Sequence, residues 1–249
     1  MTIPQREPEL RGQTVVVIGG SSGIGLETAR RARSEGADVI ITGRNPEHLS
    51  RAALEVEAVR TAAFDITDEA ALQGFFGGLP DPVDHVMVTA GGQYYAPLAE
   101  IDFAQARRAL DEHLVLTLQI GRYATGRVRP GGTMIFMTGT GARRPAPGVE
   151  IAAIEAAAMP AIIAHLALEL APTRVNLIAA GFVDTPLSAS LLGDQLEARR
   201  AQLRATLPIR RPVGPADVAA LAVHLMSNTA ITGATCDIDG GEQVLPGAS

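Results

Sequence analysis

The chain has 249 residues, 47% of them hydrophobic and 19% charged, with a formal net charge of −6. That size suits one open α/β domain, and the scattered basic residues give no electrostatic footprint for nucleic acid. The single cysteine, Cys236, excludes an internal disulfide, the start of the chain is too polar for a signal peptide, and no apolar run approaches the roughly 20 residues of a membrane span; a cytoplasmic address is expected. Aromatics are 4% of the chain, so the core must be aliphatic, and all 21 basic residues are arginine.

The apolar strand Thr14 to Ile18 runs into Gly19-Gly20-Ser21-Ser22-Gly23-Ile24-Gly25 and then into a helix-forming stretch, Leu26 to Arg33. Strand, glycine loop and helix in that order present unpaired backbone N–H groups to a diphosphate. Gly19, Gly23 and Gly25 are the candidates for the tight turn, the phosphate approach and the helix–strand contact. Further strands are expected near Val39 to Thr42, Thr61 to Phe64, His85 to Thr89, Thr133 to Met137, Arg174 to Ile178 and Thr235 to Ile238. Helices are expected over Pro46 to Glu57, Asp68 to Phe76, Phe103 to Tyr123, Ile151 to Leu170 and Pro215 to Met226. The alternation predicts an α/β fold, a Rossmann-type doubly wound parallel sheet of about seven strands in one domain covering residues 1–249. Asp184 to Arg211 reads as loop plus amphipathic helix and suits a lid, with Leu187, Leu191, Leu192 and Leu196 as its apolar face.

The glycine loop, Ala62-Ala63-Phe64-Asp65-Ile66-Thr67, Val88-Thr89-Ala90-Gly91, Arg174 through Thr185, and the tail segments Arg211 to Ala219, Thr232-Gly233 and Asp239-Gly240-Gly241 together resemble a short-chain dehydrogenase/reductase over about residues 10 to 242. The resemblance implies a nicotinamide cofactor held by Gly19, Ser21, Ser22, Gly23, Ile24 and Gly25. Asp65 with Ile66 would lie at the adenine, Ala90 and Gly91 at the adenosine ribose, and Gly181, Val183 and Thr185 toward the nicotinamide. An NAD-selecting carboxylate is expected at the end of the second strand. That place holds Gly43 followed by Arg44, which points to NADP(H), because a guanidinium pairs with the 2′-phosphate and stacks on the adenine.

The family's catalytic residues are where the resemblance stops. Its members pair a proton-donating tyrosine with a lysine four residues beyond, assisted by a serine and an asparagine. The matching segment reads Ile151-Ala152-Ala153-Ile154-Glu155-Ala156, so the two places fall on Ile151 and Glu155 or on Ala152 and Ala156. Neither register supplies the pair; the chain has no lysine, and its tyrosines are Tyr94, Tyr95 and Tyr123. The serine place falls on Thr138 or Gly139, and the asparagine becomes His113. The usual proton route is therefore expected to be closed, leaving Tyr94, Tyr95, His113, Thr138 and Glu155 as candidates for a replacement.

Three functions are consistent with this: an oxidoreductase with a relocated proton donor, a catalytically silent NADP(H)-binding regulator or partner subunit, and a non-redox lyase or isomerase using Glu155, His113 or Glu150. The family's habit of self-association implies a homodimer or homotetramer, or a mixed assembly, through the helix at 151–171 with its small residues Ala153, Ala156 and Ala157. Arg143 and Arg144 could meet an acidic substrate. No metal, nucleic acid or membrane partner is expected.

Overall fold

The computed structural model describes residues 9–245, the side chain of Ala142 excepted. In chain order it runs β1 (Thr14–Ile18), α1 (Gly23–Ser34), β2 (Asp38–Gly43), α2 (Pro46–Val56), β3 (Arg60–Ala63), α3 (Glu69–Gly77), β4 (Val83–Val88), α4 (Phe103–Leu110), α5 (Leu116–Ala124), β5 (Val128–Gly139), α6 (Glu150–Glu169), β6 (Arg174–Ala180), α7 (Pro186–Leu192), α8 (Leu196–Thr206), α9 (Pro215–Ser227) and β7 (Thr235–Ile238). All seven strands are parallel in the order β3-β2-β1-β4-β5-β6-β7.

Local chemistry sets the helix starts. Asn45 accepts from the Glu47 and His48 N–H groups with Pro46 at the first helical position, and Asp68 and Asp102 cap α3 and α4 in the same way. The inner strands β1, β4 and β6 are buried on both faces, as a doubly covered sheet requires. Val15, Val17, Val39 and Ile41 face α1, α2 and α9; Val16, Ile18, Val86 and Phe136 face α3, α5 and α6.

Three expectations need correction. The helix expected over Phe103 to Tyr123 is α4 and α5 joined by a π turn at Asp111–Val115, in which the Leu116 N–H bonds the Asp111 carbonyl. Helical periodicity cannot register one wider turn inside a long amphipathic run. The lid segment is two helices, α7 and α8, and Leu187 and Leu191 are exposed at 63% and 61%. It is tied down by Arg200, whose Nε and Nη2 reach Asp184 at 2.8 and 2.6 Å, and by Arg199, 3.1 Å from Glu242. Finally, α6 at 20 residues is long and apolar enough to cross a membrane by length and composition, contrary to the expectation of no such run. Here one face, Ala152, Glu155, Ala156, Met159, Ile163 and Leu166, is buried in the fold.

Candidate functional site

Strand order reverses direction between β1 and β4, and the carboxyl ends of these neighbours open the crevice in which ligands of such sheets sit. Gly19 turns at φ +91°, and a Cβ there would lie 2.7 Å from Thr89 Oγ1. A Cβ on Gly25 would press into the Gly19 carbonyl and stand 2.6 Å from the same hydroxyl, which bonds the Ile18 and Gly19 carbonyls at 3.2 Å. Gly23, at φ +55°, would meet only Thr185, at 3.6 Å. Ser22 begins α1 without a side-chain cap, and the first turn has no acidic residue, so its N–H groups keep their partial positive charge for an anion. The cradle is thus sterically defined, and it fits a diphosphate. We expect Gly25→Ala to cost about 2–3 kcal/mol in a denaturant titration, since backbone faces the added methyl; a change below 0.5 kcal/mol would contradict this packing. Gly20 and Gly43, given no steric role from the sequence, are equally constrained: their Cβ positions lie 2.8 Å from Ile41 and 2.7 Å from Ser21 Oγ. Only the crossing of loop and β2 reveals this.

Around the cradle, Arg44 is exposed just after β2. Asp65 accepts from the Thr67 N–H and hydroxyl at 2.9 and 2.8 Å. These bonds, with a smaller contribution from the Arg44 charge, hold its carboxyl below the usual carboxylate range. Ile66 and Val183 bury their side chains in the two cores. Ala90 and Gly91 follow β4, and a Cβ on Gly181 would stand 2.8 Å from Asp239 Cβ. Thr185 caps α7, accepting from the Ser188 N–H at 3.2 Å, and overhangs Gly23.

A second cluster forms where the π turn meets α6. His113 is 13% exposed and Glu155 2%, and His113 Nδ1 lies 3.9 Å from Glu155 Oε2. His113 Nδ1 and Glu155 Oε1 are buried without a hydrogen-bond partner, a costly arrangement unless another group completes it. Burial alone pushes the Glu155 carboxyl up to about 7. Burial likewise pushes the His113 imidazole down, against the raising effect of the Met137 and Gly92 carbonyls. The pair therefore favours a neutral acid beside a neutral base. Tyr95 is half-exposed, bonds Gln93, and has its phenol pushed up by burial and then by the Glu155 charge. Thr117, unremarked in the sequence, donates its hydroxyl to the His113 carbonyl at 2.6 Å and braces the π turn.

The other candidates separate from this cluster. Tyr94 accepts from the Asp102 N–H at 2.7 Å and fastens the loop to the start of α4. Thr138 is buried in β5 opposite Ala179, while the Gln93 amide lies 3.5 Å from where a Gly139 Cβ would stand. Arg143 is committed to Asp237 at 2.6 Å, and Arg144 donates to the Glu242 and Leu245 carbonyls at 2.7 Å. Arg144 is thus engaged within the chain, while Arg143 stays exposed with one partner. Ala156 is in the core, which removes it from the small-residue face expected on this helix; Ala157 is exposed.

The family profile described as Enoyl-(Acyl carrier protein) reductase matches residues 18–243. The chain is 31% identical to 3beta-hydroxysteroid dehydrogenase 1 of Eggerthella lenta, with 96% of this chain and 97% of the relative covered. It superposes on the MalC Reductase/Diels-Alderase of Malbranchea aurantiaca with a TM-score of 0.88 at 26% identity, covering 96% and 99% of the two chains. A small-chain dehydrogenase solved in complex with NADPH matches with a TM-score of 0.78 at 26% identity, covering 92% and 97%.

Proposed function

Because this chain belongs to the short-chain dehydrogenase/reductase family, whose cofactor is a nicotinamide dinucleotide, we propose that it is an NADP(H)-dependent oxidoreductase in which proton handling has moved to Glu155 and His113. The observation that carries this is the buried carboxyl with one unpartnered oxygen, 3.9 Å from an imidazole whose Nδ1 is also unpartnered. The matching tyrosine place, Ile151 or Ala152, offers no proton. A carboxyl held near 7 is a suitable general acid close to neutral pH.

The glycine cradle and the α1 N-terminus would hold the diphosphate, with Asp65, Ala90 and Gly91 near the adenosine. The bound cofactor would supply the hydride. The chain's part is to present the acceptor, exclude water with α7 and α8, and deliver a proton from the cluster. NADPH oxidation across ketones, imines and activated alkenes tests the reading. We expect turnover that falls on Glu155→Gln and His113→Ala and persists in Tyr94→Phe; silence across the panel would refute it.

Preference for NADP(H) is supported by exposed Arg44 and the absence of a carboxylate at Gly43. We expect Arg44→Ala to weaken NADPH binding by about 10–100-fold, the loss of one charge-assisted phosphate contact, while NADH binding changes less than about threefold. Equal losses for both cofactors in a fluorescence titration would overturn the assignment. The likeness to a chain described as a Reductase/Diels-Alderase favours one second reading, cyclisation without net redox in the same cleft; cofactor-independent product formation would identify it.

A further inference from the structure

We propose that the hydride acceptor is a carbon–nitrogen double bond, protonated through the Glu155–His113 pair and reduced as its iminium ion. The inference rests on the oxidoreductase reading above and names its substrate class. Its basis is the proton and charge inventory of the cleft. Tyr95 is the half-exposed phenol of the cluster, and burial together with the neighbouring carboxyl makes it a weaker acid than an ordinary tyrosine. That is the reverse of what protonating a nascent alkoxide requires. The remaining acid is the buried Glu155 carboxyl, whose Oε1 is without a partner and whose Oε2 has the His113 imidazole as its ionisable neighbour at 3.9 Å.

Among the described residues, no cation is placed to offset that carboxyl. On the elements packed against α6, Arg107, Arg108 and Arg122 of α4 and α5 are exposed. Arg143 after β5 is paired with Asp237, and Arg129 and Arg174 lie at the opening ends of β5 and β6, away from the crevice. The other ionisable groups of the π turn, Asp111 and Glu112, are acidic, and Glu112 Oε2 would lie 3.3 Å from a Cβ on Gly92. Glu150 begins α6 and adds a further acid. A ketone accepting hydride builds up negative charge on oxygen, which these groups oppose. A protonated imine is a cation, which they favour. An imine nitrogen also gains and loses its proton near neutral pH, matching a carboxyl held there by burial, whereas a protonated ketone is far too strong an acid to form.

The step balances. The Glu155 O–H bond breaks and an N–H bond forms, giving iminium and carboxylate. Hydride from the reduced nicotinamide forms the C–H bond while the C=N π pair becomes the nitrogen lone pair. The amine and the oxidised cofactor leave, and solvent returns a proton to Glu155.

The probes are dihydroisoquinoline, its N-methyl iminium salt and the ketone tetralone, each with NADPH. We expect the imine and the salt to be reduced at least about 100-fold faster than the ketone. In Glu155→Gln, imine reduction should fall by about 100-fold or more, while the salt, which needs no proton, should fall by less than about tenfold. Glu155→Asp keeps the acid and should recover part of the imine activity. As a readout independent of turnover, the N-methyl iminium salt should bind the NADP-loaded protein at least about fivefold tighter at pH 8 than at pH 6, and this dependence should vanish in Glu155→Gln. Ketone reduction as fast as imine reduction, or equal losses for imine and salt, would overturn the inference while leaving the oxidoreductase reading in place. Bound NADPH with no acceptor reduced would overturn both.

Discussion

Between pH 5 and pH 8, Glu155→Gln is expected to gain roughly 2–3 kcal/mol of stability relative to the unsubstituted chain. The folded carboxyl titrates near 7, above its ordinary value of 4.5, because burial disfavours its charge. The folded state therefore binds this proton more tightly than the unfolded chain. Its stabilising effect is complete below pH 4.5 and is lost as pH rises through 7. Glutamine fills the same space and does not titrate, so the difference between the two proteins isolates the linkage. His113 has its pKa lowered and so opposes stability at low pH; that effect largely cancels in the comparison. Urea titrations at four pH values check the sign and the size. A difference that is flat with pH would mean that Glu155 is solvated in the folded protein.

A larger effect of opposite sign is expected at the opening end of β6. Arg174 opens β6 at 5% exposure and donates to the carbonyls of Gly131, Leu225, Met226, Asn228 and Ile231 at 2.8–3.2 Å. Two of these carbonyls belong to the last turn of α9, where backbone acceptors are unpaired and a positive charge meets the negative end of the helix. Arg174→Met keeps the aliphatic stem and removes every donor. It should cost about 3–5 kcal/mol, a large share of the 5–15 kcal/mol typical of a domain. Chemical denaturation gives the value directly, and a loss under about 1 kcal/mol would show that water replaces the guanidinium without penalty. Because α9 packs along α1, we also expect Arg174→Met to raise amide exchange in both helices.

How much of this was legible in the sequence follows from which forces are local. Thr14–Ile18 and Thr235–Ile238 are strands over the whole span expected, and the others differ only at their ends; for Thr14–Ile18 the unbroken aliphatic run leaves a buried parallel strand few alternatives. The same holds for α2 and α9, whose proline starts are written in the chain. The π turn was not legible: its stabilising contact, the Thr117 hydroxyl on the His113 carbonyl, has no period to detect. Between the two registers open at 151–156, composition could not choose. The fold places Glu155 against His113 and buries Ala156 elsewhere in the core, which is a property of helix phase against the π turn rather than of either sequence. The partners of Arg143 and Arg144 were not legible for a related reason. Asp237 and the carbonyls of Glu242 and Leu245 are nearly 100 residues away.

The contact between Gly43 and Ser21 bears on how such a chain could change cofactor. Installing a ribose-binding carboxylate by Gly43→Asp would set a Cβ 2.7 Å from Ser21 Oγ and 3.0 Å from Ser21 Cβ, so the Ser21 side chain must shift to admit it. Trimming the obstacle first, by Ser21→Gly, clears that space. The two substitutions are therefore epistatic. A library at the end of β2 should therefore vary positions 21 and 43 together, because the side chain allowed at one depends on the side chain present at the other.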